Sequence, residues 1–178
     1  MNRTWKIVIL LLILAVCAGC DLSTKHLAKQ HLKYAPAKTI IENYVELRYT
    51  ENDAIAFSML KSIDLPLRNV IIYITSLIAF IILGVITWQS RRESLLWQAA
   101  LMFILAGAVG NLLDRILNGY VVDFIHVHYA DKFSWPIFNV ADITITLGAI
   151  TLAILMLRKS SAEEMAEGQI LADDGGAE

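Results

Sequence analysis

Residues 67–88 read LRNVIIYITSLIAFIILGVITW. Past Arg68 and Asn69 the run holds no charge through to Trp88. Crossing the hydrocarbon layer of a bilayer takes about 20 mostly apolar residues, and this run supplies them. Inside that layer no water meets the backbone polar groups, so they bond to one another and the segment is helical. Three further apolar runs lie to either side: about Ile7 to Gly19, about Leu95 to Leu113, and about Phe138 to Leu157. The last meets the length. Leu95–Leu113 meets it narrowly, with a polar final turn, and Ile7–Gly19 meets it only if the helix continues through Asp21 to Lys25. The reading is an all-α membrane protein with four transmembrane helices in one bundle.

Composition agrees. The chain is 57% hydrophobic, against ~45–50% for a typical soluble domain, and the excess lies in the four runs. A formal net charge of -2 carries no basic signature, so nucleic acid is not an expected partner. Cys17 and Cys20 both lie in the first apolar run. They read as small apolar helix residues rather than a disulfide framework. Arg3, Lys6, the apolar run and Ala18-Gly19-Cys20 also resemble a lipoprotein signal peptide. Against that, Cys17 stands where such a box usually has leucine, and three more spans follow that a lipid anchor would not need.

Arg3 and Lys6 precede the first span, Arg91 and Arg92 join the second to the third, and Arg158 and Lys159 follow the fourth. By the positive-inside rule both termini are cytoplasmic. The first long loop carries six cations of its own (Lys25, Lys29, Lys33, Lys38, Arg48 and Lys61), so a bare count does not favour this orientation. It is kept because the first span usually dominates topology.

Outside the spans, Asp21–Lys33 is polar and helix-compatible. Ile40–Tyr49 alternates, with Ile41, Val45, Leu47 and Tyr49 on one face and Glu42, Glu46 and Arg48 on the other. Period two predicts a half-buried strand. Val121–Ile125 is also strand-like, so a small β-sheet resting on the extracytoplasmic membrane surface is expected. Ala54–Ile63 is mildly amphipathic and is read as interfacial. From Ser160 the chain is acidic and rich in small residues, a composition of disorder. Residues 1–158 are therefore read as a single integral membrane domain, and 159–178 as a disordered cytoplasmic tail.

The chemistry-bearing residues gather at one membrane face. Asp21 closes the first span, Asp114 the third, Asp142 opens the fourth, and Asp123 lies on the segment between the last two. Ionisable groups at membrane depth are costly and tend to mark function. Asn111, Asp114 and Arg115 share one helix face by their i, i+3, i+4 spacing, and Asn139 and Asp142 repeat the i, i+3 relation. Singly, each reads as a helix cap in the headgroup layer. Together they suggest two carboxylates in a partly dry site, which cannot both ionise comfortably and so share a proton. One then serves as base toward a water while the other donates to a carbonyl. This chemistry needs no metal and no cofactor. Spacing alone does not bring Asp123 to Asp142; the short connection permits it.

A metal reading is available in Asp123, His126 and His128. The two histidines share a strand face at i, i+2, but Asp123 falls on the opposite face. Ser58 and Ser134 have no base nearby in sequence, and there is no glycine-rich phosphate loop. A transporter is the main rival, but the charges sit at one face rather than at the midplane, and no paired broken helices occur.

Five segments in order resemble the lipoprotein signal peptidases (signal peptidase II, an aspartyl peptidase family). They are Asp21-Leu22-Ser23-Thr24-Lys25, Asn52–Phe57 with Ser58, Gly110-Asn111-Leu112-Leu113-Asp114-Arg115, Val122-Asp123-Phe124-Ile125, and Trp135-Pro136-Ile137-Phe138-Asn139-Val140-Ala141-Asp142. The resemblance spans about residues 1–158. It departs at Ala54, where the family carries a glycine, a residue that permits backbone angles and close approaches alanine does not. The resemblance implies four membrane helices with an extracytoplasmic sheet cradle. It also implies cleavage of diacylglyceryl-modified prolipoproteins on the N-terminal side of the lipidated cysteine, in the bacterial cytoplasmic (inner) membrane. By position Asp123 and Asp142 are the catalytic pair. Asp21, Lys25, Asn52, Asn111, Asp114, Arg115, Asn139 and Ala141 support the site or contact substrate. Expected partners are the prolipoproteins and membrane lipid, with the peptidase itself a monomer.

Overall fold

The structure, a computed structural model, describes residues 2–53, 65–130 and 132–174. Its elements are α1 (Arg3–Leu32), β1 (Lys38–Ile41), β2 (Val45–Asn52), α2 (Leu65–Gln89), a 3-10 turn (Ser90–Arg92), α3 (Leu95–Asn118), β3 (Val121–Tyr129), β4 (Phe133–Ser134) and α4 (Val140–Asp174). All four long helices are long and apolar enough to cross a membrane, and an antiparallel sheet ordered β1-β2-β3-β4 accompanies them. This is the expected architecture. The interfacial reading of Ala54–Ile63, together with Ala54, Phe57 and Ser58 of the second sequence box, lies outside the described residues.

Helix ends fall where local chemistry puts them. Asn2 caps α1 by accepting the Thr4 N–H at 3.0 Å, and Ser94 caps α3 by accepting that of Trp97 at 3.2 Å. Such side chains satisfy N–H groups that lack an intrahelical partner. Gly119, at φ 82°, closes α3 in the left-handed conformation, and its N–H reaches the Arg115 carbonyl, a glycine C-cap.

Three helix boundaries differ from the sequence reading. Asp21 does not close the first span, because α1 runs on to Leu32 and leaves Asp21 fully buried in its interior. Its carboxylate is held by partners on other turns and helices, described below, so it does not compete for the backbone. Asp114 likewise lies one turn inside α3. At the C-terminus, α4 continues to Asp174, past the point where disorder was expected. Ala, Glu, Met, Gln and Leu are good helix formers, and extending an existing helix carries no nucleation cost.

The single strand expected over Ile40–Tyr49 is a hairpin. Asn43 adopts φ 63°, and the chain turns at residues 42–44 between β1 and β2. Asparagine tolerates this left-handed conformation better than most residues.

Helix α3 is the hub, packed against α1, α2 and α4, whereas among the described residues α2 touches only α3 of the other long helices. Glycines bring α3 and α4 together. A Cβ on Gly107 would collide with the Ala141 carbonyl, and one on Gly148 would lie 2.6 Å from the Ala100 carbonyl. In lipid, helix association depends on such close packing, since exclusion from water supplies no drive there. The sheet sits on the far end of α1, where Ala28, Val122 and Phe124 form a buried cluster with Leu32, Leu47 and Tyr49 packed on it. Burial of Val122 and Phe124 on either side fixes the depth of Asp123.

Candidate active site

Three backbone hydrogen bonds build the site. The N–H groups of Phe124 and Ile125 donate to the Phe138 carbonyl at 3.1 and 2.8 Å, and the Phe138 N–H donates back to Ile125 at 3.0 Å. This pairing pulls the segment before α4 alongside β3 and sets Asn139, wholly buried, next to Asp123.

Asn139 then meets both carboxylates. Its side-chain amide donates to Asp123 Oδ1 at 2.6 Å and to Asn111 Oδ1 at 3.2 Å. Its backbone N–H donates to Asp142 Oδ2 at 3.1 Å, while the Asp142 N–H donates to Asn139 Oδ1 at 3.1 Å. That reciprocal pair is a capping box at the start of α4, with Asp in the place more often held by Glu or Gln. The second oxygen of Asp123 accepts from Asn52 on β2 at 2.8 Å, and the second oxygen of Asp142 accepts from Asn111 on α3 at 3.1 Å.

Beneath this layer lies a buried cation. Lys25 Nζ sits 2.7 Å from Asp21 Oδ2, 2.9 Å from Asn111 Oδ1 and 3.2 Å from Asp114 Oδ2. The three ammonium protons thus face three oxygens. Asp21 Oδ1 accepts the Ala141 N–H at 2.7 Å, and Asp114 Oδ2 accepts that of Val122 at 3.0 Å. Asp21, Lys25 and Asp114 therefore lock α1, α3, β3 and α4 together under the Asp123–Asp142 pair. Gly110 makes room for this: a Cβ there would run into the Asp21 carboxylate. Arg115 bonds the Asn111 carbonyl at 3.0 Å and interacts electrostatically with Asp142, Asp123 and Asp114.

Every residue named from the sequence for this site therefore joins one network. Its charges do not balance. Asp21, Asp114, Asp123 and Asp142 face two cations, Lys25 and Arg115, an excess of negative charge that favours protonation of a carboxyl. Burial pushes the Asp123 carboxyl up to about 6; the Asn52 and Asn139 amides pull it down, and the Asp142 charge pushes it up. Asp142 is only half-buried. It opens onto a groove of about 280 Å³ lined by Trp135, Phe138, Ile143, Thr146 and Leu147. The pair thus has a dry member and a member facing an apolar channel.

Asp123 does not join His126 and His128. The third member of that cluster is Glu46, directly across from His126 in the β2–β3 register, and its carboxylate lies 2.8 Å from His126 Nδ1. Ligand atoms of Glu46, His126 and His128 lie within 4.8 Å of one another. Glu46 is also paired with Arg48 at 2.9 Å, and Lys132 lines the same hollow, so its charge is already answered by side chains. Sequence reading missed Glu46 because cross-strand register is not legible in one strand. It also missed Asn118, which links Asp114 (3.2 Å) to Lys29 (3.0 Å); its i+4 spacing from Asp114 was the available signal.

Comparison with known proteins agrees with the geometry. The family model for signal peptidase (SPase) II matches residues 12–158. A lipoprotein signal peptidase of Clostridium tetani is 33% identical over 144 residues, covering 81% of this chain and 89% of its own. One from Enterococcus faecalis is 31% identical over 166 residues, covering 93% of this chain and 98% of its own. A bacterial membrane enzyme solved by the in meso method superposes with a TM-score of 0.72 at 27% identity, covering 88% of this chain and 92% of that one.

Proposed function

This chain belongs to the signal peptidase II family, a family of lipoprotein-processing peptidases, and from that premise we propose that it is an aspartic endopeptidase. Its substrates are diacylglyceryl-modified prolipoproteins, and it cuts on the N-terminal side of the lipidated cysteine. Asp123 and Asp142 are the catalytic pair. The observation that carries this reading is Asn139, which hydrogen-bonds to both carboxylates at once.

The division of labour follows from exposure. Asp142 faces the groove and takes a proton from the attacking water as the water oxygen bonds to the scissile carbonyl carbon. Asp123, buried and holding its proton up to about pH 6, donates to the carbonyl oxygen. As the tetrahedral species collapses, the carbon–nitrogen bond breaks, the proton held by Asp142 passes to the departing cysteine amine, and the hydroxyl that re-forms the carbonyl returns its proton to Asp123. The Asn52, Asn111 and Asn139 amides fix both carboxylates before substrate arrives. Trp135, Phe138, Ile143 and Leu147 give the groove an apolar wall suited to acyl chains entering sideways from the bilayer.

Residues 1–158 form the catalytic unit in the bacterial inner membrane. Both termini are cytoplasmic, and the site opens on the other side. The test is cleavage of a lipidated prolipoprotein by the purified protein, with the new N-terminus read by mass spectrometry. A product beginning at the lipidated cysteine is expected. No cleavage, or a cut elsewhere, overturns the reading.

A further inference from the structure

At the end of the bundle away from Asp123 there is a second hollow, about 660 Å³ in volume. It exists because, among the described residues, α1 and α2 make no close backbone contact with each other; both pack on α3, which forms the floor between them. Four cations rim it: Arg3 and Lys6 from α1, Arg91 and Arg92 from the α2–α3 turn. Among the described residues no carboxylate lines it. The deeper walls are apolar, from Ile7, Leu10, Gly84 and Leu105. A Cβ placed on Gly84 would meet nothing within 4 Å, so the groove is open at that depth.

The cationic rim is built rather than splayed. Gln98, buried, donates through its amide to the carbonyls of Ser90, Arg91 and Glu93 at 3.2, 2.8 and 3.0 Å, which fixes the turn that presents both arginines. Lys6 Nζ donates to the Glu93 carbonyl at 2.9 Å, tying α1 to that turn. Arg91 bonds the Trp88 carbonyl at 3.1 Å and lies over the Trp88 ring at 5.2 Å. The Glu93 carboxylate beside the turn is engaged by Lys159 at 3.2 Å.

We propose that this groove is a binding site for one anionic phospholipid, its phosphate among Arg3, Lys6, Arg91 and Arg92 and an acyl chain between α1 and α2. The charge selects an anionic headgroup, as in other basic pockets between membrane helices. The apolar depth selects a lipid over free phosphate. The leader of a substrate is a poor match, because the start of a signal peptide is itself positively charged. The site lies apart from the carboxylates and is independent of the proposed chemistry.

The test uses the full chain in nanodiscs of phosphatidylcholine, with spin-labelled phosphatidylglycerol or spin-labelled phosphatidylcholine as trace lipid. Each basic side chain near an anionic lipid contributes about fivefold in affinity. Phosphatidylglycerol is therefore expected to be retained at least about fivefold over phosphatidylcholine. Inorganic phosphate is expected not to displace it. The combined Arg3→Gln, Lys6→Gln, Arg91→Gln and Arg92→Gln variant is expected to lose the preference. Gly84→Phe, which fills the groove without altering charge, is expected to lose the immobilised lipid. Equal retention of the two lipids by the unaltered protein overturns the proposal, as does a preference that survives the glutamine substitutions. Displacement by inorganic phosphate, or by a prolipoprotein signal peptide, also overturns it. Prolipoprotein cleavage by each variant serves as the folding control. If a variant does not fold, the lipid preference and the phosphate competition of the unaltered protein still decide.

Discussion

Asp123 accepts the side-chain amide of Asn139 at 2.6 Å while Asp142 accepts the backbone N–H of the same residue at 3.1 Å, so a single residue separates the two carboxylates in the hydrogen-bond network. If they act as a pair, Asp123→Asn and Asp142→Asn each remove the ionisable proton while nearly keeping size. Each is expected to lower cleavage by about 10²–10⁴ or more, and the double variant to be little worse than either single one. Mere helix capping would instead cost roughly 0.5–2 kcal/mol of stability and leave turnover intact. Gel-shift assays with detergent melting as the folding control separate the two.

The Asp123 carboxyl, raised to about 6, predicts a pH profile. As pH rises through that value Asp123 loses its proton, so kcat/KM is expected to fall on the alkaline side. The associated stability has the same sign: a folded value above the unfolded one favours the protonated fold, a contribution full below the unfolded value and lost as pH rises through about 6. Asn52 donates to the ionised form and lowers the value. Asn52→Leu is therefore expected to shift the alkaline limb to higher pH. A limb that stays put would remove Asn52 from the control of Asp123.

Lys25 is the cation shared by Asp21 and Asp114. Lys25→Met leaves two buried carboxylates without it, a change of the kind that costs about 3–5 kcal/mol. Gly110→Ala forces a methyl against Asp21 and is expected to cost about 1–3 kcal/mol. Both are read as lowered melting temperature in detergent. An unchanged melt for Lys25→Met would mean the ion cluster does not hold the helices together.

Chelation tests the metal-free chemistry. EDTA is expected to leave cleavage unchanged. Activity lost to chelator, restored by zinc and abolished by His126→Ala, would instead assign a working metal to Glu46, His126 and His128.

Topology is checked with reporter fusions. Fusions after Arg92 and after Arg158 are expected to read cytoplasmic, and those near Lys38 and Lys132 extracytoplasmic. The opposite pattern would put the carboxylates on the wrong side for prolipoproteins. Removal of residues 162–178 is expected to leave cleavage intact.

The sequence by itself determined the four spans, because a long apolar run has no stable state in lipid other than a helix. It also marked the polar residues that meet in one network, since Asp21, Lys25, Asn111, Asp114, Asp123, Asn139 and Asp142 stand out against apolar surroundings. Their partners were decided only in three dimensions. The hairpin turn at Asn43, the register that sets Glu46 against His126, and the Phe138 bridge that carries Asn139 to Asp123 all depend on contacts between distant segments. Local propensity and periodicity do not encode such contacts. The same holds for the cationic groove, whose four basic residues are ordinary helix-end charges in the sequence. It exists because α1 and α2 both pack on α3 and leave space between them.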